Sequence, residues 1–155
     1  MARTPTKSIY GIHPSVERWA GHTDMPAEFA SPAAYLATAE AYVEGMFSGP
    51  KAGLRPIYDA LLKVGLSVGA DAKACPCKTI VPIYRRHVIA QIKPATKTRI
   101  DFGLALGNTK APKRLIDTGG YKKKDRITHR IEVTSIDDID ADLKRWLKKA
   151  YEMDV

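Results

Sequence analysis

The hydrophobic period of this chain changes once, near Gly69, and that change restricts the fold more than any other feature. Before it, apolar residues recur at spacings of three and four, as on a helix packed on one side. After it, Ile100, Phe102, Leu104 and Leu106 alternate with Arg99, Asp101, Gly103 and Ala105 over residues 98–106, the period of a strand with one face on a core. Helical first and β second, the chain reads as an α+β domain: an N-terminal helical pair, an antiparallel β-sheet of about four strands, and a C-terminal amphipathic helix packed on the sheet. Its 155 residues suit one such domain.

Residues 1–30 scatter Pro5, Gly11, Pro14, Gly21 and Pro26 among the isolated aromatics Tyr10, Trp19 and Phe29. With no sustained period, they read as an irregular N-terminal arm that docks through its aromatics. The single α+β domain then runs over 31–155. Ser31 as N-cap and Pro32 at the first helical position open a helix with Tyr35, Ala39, Tyr42, Val43 and Met46 on one stripe. A second helix is predicted from about Gly53 to Val64, antiparallel to the first and stopped by Gly65. Strands are predicted over 79–86 and 87–93, with Arg85, Arg86 and His87 near their turn and Pro82 demanding an edge or a bulge. A long loop, 107–126, leads to a last strand, 127–134, that puts Ile127, His129, Ile131 and Val133 on one side. Ser135 and Asp138 then form a capping-box pattern, with acidic residues at the start of the closing helix and Lys144, Arg145, Lys148 and Lys149 toward its end.

The net charge of +8 is unevenly spread. Residues 1–77 hold seven basic and seven acidic side chains, 78–130 hold fourteen and three, and 131–155 hold four and seven. A basic β half concentrates polyanions around it, so nucleic acid or another polyanion is the expected partner. No apolar run approaches the ~20 residues of a membrane span, and two cysteines two positions apart make no disulfide framework. The sequence therefore reads as cytoplasmic, with no membrane and no cofactor implied, as a monomer or a homodimer.

Candidate anion or nucleic-acid contacts are Arg85, Arg86, Arg99, Tyr121, Lys122, Lys123, Lys124, Arg126 and Arg130. Tyr121 within the run GGYKKKDR is suited to stacking one base while the lysines meet the backbone. The run is no Walker motif, since G-x-x-x-x-G-K-[ST] is absent. The competing reading is a small enzyme or ligand-binding protein with an anionic-metabolite pocket between sheet and helices, using Tyr84, Asp101 and His129 beside Arg99 and Arg130. His129, flanked by Ile127 and Ile131, reads equally as a hydrogen-bonded core residue, and Arg99, Asp101, Arg130 and Glu132 as cross-strand ion pairs. Cys75 and Cys77 could ligate a metal only with two further ligands, so two small apolar residues entering the sheet is the simpler reading.

The stretch ACPCKTIVPIYRRHVIAQIKPATKTRIDFGLALG, followed by RLIDTGGYKKKDRITHRIEVTSIDDID and a closing helix with RWL and AYEMD, resembles bacterial proteins of domain-of-unknown-function family 5655 over roughly residues 31–155. The resemblance implies a family and no mechanism. Relatives with this cysteine motif begin with a longer helical module, which in this chain is shortened to SIYGIHPSVERWAGHTDMPAEFA.

Overall fold

Regular structure begins earlier than the periodicity predicts. In the computed structural model, which describes residues 9–110 and 112–154, Pro14–Trp19 forms a short helix, α1, whose first turn is capped by His13 Nδ1 accepting the Ser15 N–H at 3.0 Å. Pro5 and the rest of 1–8 lie outside the described residues. The arm docks through Tyr10, whose hydroxyl meets that of Tyr58 at 2.8 Å, and through Phe29 against the core. Trp19 does not join them; it stands edge-on to His22.

Helix α2, Pro32–Met46, starts at the Ser31 cap and buries Tyr35, Ala39, Val43 and Met46, the stripe its sequence predicts. A 3-10 turn over Gly49–Leu54 leads into α3, Arg55–Leu66. Gly65 does not stop that helix; it lies inside the last turn. A Cβ there would overlap Cδ1 of Ile83, so the glycine lets α3 approach the sheet.

Among the described residues the sheet has six antiparallel strands rather than about four: β1 Lys73–Ala74, β2 Val81–Tyr84, β3 Val88–Pro94, β4 Ile100–Leu104, β5 Ile116–Asp117 and β6 His129–Val133, in the order β1-β2-β3-β4-β6-β5. The two extra strands are two-residue edge pairings, too short for any period to announce. Pro82 is not on an edge strand, since β2 lies between β1 and β3, and the irregularity falls one residue after it. The strand β1 ends one residue short of facing it, where the Pro82 carbonyl accepts the Cys75 N–H at 3.0 Å, and the β2–β3 register slips between Ile83 and Tyr84.

On the inner face, Ile92, Phe102 and Ile131 are fully buried in register, with α3 and α4, Ala141–Met153, packed over β3. Ile127 departs from the predicted alternation. It precedes the paired part of β6 and lies over Gly103 on the outer face, where a Cβ on the glycine would come within 2.8 Å of it. The predicted capping box also forms, but it belongs to a separate 3-10 turn, Ile136–Asp138. Helix α4 starts later, with Asp140 accepting the Leu143 N–H at 3.0 Å, and its last turn holds no basic residue, so the four cations sit in its middle.

Candidate nucleic-acid interface

Pleating sends Asp101, Arg130 and Glu132 to the outer face, because Asp101 pairs with Glu132 and Gly103 with Arg130 across β4 and β6. Arg99 Nε lies 3.0 Å from Asp101 and its Nη1 3.3 Å from Glu132; Arg130 Nη1 lies 3.1 Å from each acid. Two cations and two anions thus form one half-buried network. Each guanidinium has five N–H donors, so neither is exhausted by these contacts.

The part of the 107–126 segment that follows β5 is hydrogen-bonded into a closed turn. After β5, Asp117 accepts the Gly119 N–H at 2.7 Å, Gly119 turns at φ +78°, and the Asp125 N–H returns to the Gly120 carbonyl at 2.8 Å. This closed turn presents Tyr121, 53% exposed, beside Lys122, Lys123 and Lys124. Arg126 is anchored at its root, with Nε donating to the Val88 carbonyl at 2.8 Å.

Three open depressions adjoin, each sharing lining residues with the next, as a segmented trough. The first, of about 570 Å³, is lined by Tyr121, Lys122, Lys124 and Arg126. It shares Asp125 and Arg126 with a second, of about 510 Å³, floored by Gly103 and Ile127 and flanked by Arg130 and Lys93. The second shares Lys93 and Asp101 with a third, of about 770 Å³, which runs past Arg99 to Lys51 and Lys78 beside α2. Lys51, Lys78 and Lys93 were not singled out by sequence; the outward position of Lys93 on β3 is the one signal that marks any of them.

Other candidates are placed elsewhere. Arg85 is taken up internally: Nη1 donates to the Tyr151 carbonyl at 2.8 Å, Nε lies 3.2 Å from Asp71, and the guanidinium stacks over the Tyr151 ring. Arg86 is fixed by its backbone N–H, which Asp154 accepts at 2.8 Å; its side chain is exposed at the β2–β3 turn and lines none of the three depressions. Tyr84 sits at the bulge against His13, and His129 is buried on the inner face with Nδ1 2.8 Å from the Thr128 hydroxyl. Tyr84, Asp101 and His129 are therefore not brought together in one pocket.

Cys75 is fully buried, and burial pushes its thiol up to about 12; burial and Glu28 also raise that of Cys77. Neither thiol is set up as a nucleophile. Among the described residues, no group of three or more His, Cys, Asp or Glu side chains could hold a metal ion, and no helix is long and apolar enough to cross a membrane.

No curated protein and no solved structure matches the chain. A family model does: it covers residues 43–154, taking in the last turn of α2, all of α3, the whole sheet and α4 and leaving out the arm and most of α2. On that match, the chain belongs to the family described as a domain of unknown function, DUF5655.

Proposed function

We propose that this protein is a non-enzymatic binding module for a polyanion, and that the polyanion is single-stranded nucleic acid. The observation that carries the reading is a run of three adjoining depressions in which Lys122, Lys124, Arg126, Arg130, Lys93, Arg99, Lys78 and Lys51 outnumber the acids Asp101 and Asp125. An elongated, shallow, basic path suits a flexible phosphate backbone, since each neutralised phosphate releases condensed counterions. Tyr121, exposed at one end among lysines, offers a stacking surface that every base can use and that duplex pairing would deny.

The test is fluorescence anisotropy with a labelled single strand and with the same sequence as duplex, each at low and near-physiological salt. Single-strand binding that collapses when Lys122, Lys123 and Lys124 are changed to Gln supports the reading. Absence of binding at low salt removes it.

A further inference from the structure

The trough does not end at Lys78. Tyr42 and Lys78, which line its third depression, also line a fourth cavity of about 210 Å³ built by His13, Glu28, Phe29, Tyr35, Tyr42 and Cys77. At roughly 30 Å³ per water-sized group, this space has the scale of one small ring system, below the ~300 Å³ at which drug-sized sites begin. Its walls are rings: His13 lies 5.7 Å from both Phe29 and Tyr35, and the last two are nearly parallel at 6.3 Å.

The polar groups at this cavity are few and of defined kind. Glu28 accepts the Tyr42 hydroxyl on one oxygen, and its other oxygen carries no hydrogen bond or ion pair among the described residues. The Lys78 ammonium is likewise uncommitted and exposed at the junction with the trough. His13 Nδ1 is occupied by the Ser15 N–H, which leaves the ring proton of the neutral form on Nε2. Burial, and after it the nearby Arg18, favour that neutral form.

From this juxtaposition we infer that the cavity is a base pocket, and that the base it takes is guanine extruded from a single strand whose backbone follows the trough. A carboxylate accepts from N–H groups, and guanine alone among the standard bases presents two adjacent N–H donors, N1–H and the 2-amino group, next to a carbonyl. Glu28 meets the donors, Lys78 meets the carbonyl oxygen, and the aromatic walls stack on the ring. Adenine and cytosine place a ring acceptor where the carboxylate needs a donor, and uracil and thymine have one N–H between two carbonyls. A paired base cannot enter without flipping. Five of the cavity's residues precede position 43, so the pocket joins the arm and α2 to the Pro76–Lys78 segment, and most of it lies outside the family match.

The inference rests on the trough's reading as a single-strand path, and the experiment separates the two. Anisotropy is measured with short oligothymidylates carrying one central guanine, adenine or cytosine, against the wild-type chain and Glu28→Gln. In parallel, uncharged guanosine is titrated while the amide resonances of His13, Tyr42 and Cys77 are followed by NMR. The expected result is a preference for guanine on the order of tenfold, lost in Glu28→Gln with the salt dependence unchanged, and shifts confined to the pocket on adding guanosine. Salt-sensitive binding with no base preference and no guanosine shifts overturns the base pocket and leaves the trough standing. Guanosine shifts without oligonucleotide binding at any salt keep the pocket and overturn the trough.

Discussion

Asp154, the penultimate residue, holds the β2–β3 turn through His87: its carboxylate accepts the His87 backbone N–H at 2.7 Å and the ring Nδ1–H at 2.6 Å. The Arg86 N–H adds a third bond at 2.8 Å, and Arg126 approaches at 3.4 Å. Burial alone would raise the carboxyl, but these donors outweigh it and hold it below the ordinary Asp value. A depressed folded value means that the contribution to stability is complete above the unfolded pKa, near 4, and is lost as pH falls through the lower folded one. Asp154→Asn should cost roughly 2 kcal/mol at neutral pH, and urea midpoints of variant and wild type should converge as pH falls below about 4. Parallel curves down to the lowest pH would refute this linkage.

Tyr121 and the three lysines after it make separable contributions. Tyr121→Ala should weaken single-strand binding by about 1–3 kcal/mol without changing its salt dependence. Neutralising Lys122, Lys123 and Lys124 should instead flatten the slope of log K against log salt by roughly 2, at about 0.7 per phosphate contact on a single strand. Equal effects of both changes on the slope would contradict the stacking role.

Asp101 restrains both arginines of the outer face, at 3.0 Å from Arg99 and 3.1 Å from Arg130. Asp101→Asn removes one negative charge from the trough and leaves Glu132 alone against two guanidiniums. Affinity for single strands should rise several-fold while stability falls by about 1 kcal/mol, read by anisotropy and urea unfolding. A loss of affinity with the fold intact would place the polyanion elsewhere.

Gly65 is a packing glycine, and a coupled pair of substitutions tests that. Gly65→Ala should destabilise by roughly 1–3 kcal/mol through overlap with Ile83 Cδ1, despite alanine's better helix propensity. Ile83→Val deletes the clashing methyl. Alone it should cost about 1 kcal/mol, but in the Gly65→Ala background it should restore stability. Additive losses would contradict the contact.

Long elements with an unbroken period were legible: the α2 stripe from Tyr35 to Met46 and the β4 alternation from Ile100 to Leu104 form as their spacing predicts. What escaped was set by tertiary pairing or by one or two residues. Strands β1 and β5 are too short to carry a period. Ile127 lies two residues outside the β6 ladder, so pleating no longer dictates its face. Gly65 carries the same symbol whether it ends a helix or admits a neighbour, and only Ile83, eighteen positions away, decides. Of the candidate site, Arg99, Arg126, Arg130 and the Tyr121 loop do line one trough, because basic residues on alternating strand positions and at a hairpin end read directly. Arg85 and His129 were indistinguishable from them in sequence, since their partners Tyr151 and Thr128 are supplied by the fold. The His13–Glu28–Tyr42 cavity was invisible for the same reason: its walls come from three separate segments.

The central claim is that the trough is a path for a phosphate backbone, and the salt dependence of single-strand affinity tests it most directly. Measured over a range of monovalent salt, log K should fall linearly with a slope of magnitude about 3 or more, as expected of several simultaneous phosphate contacts, and the slope should shrink when Arg126 and Arg130 are changed to Gln. A binding constant indifferent to salt, or none at the lowest salt, would contradict it.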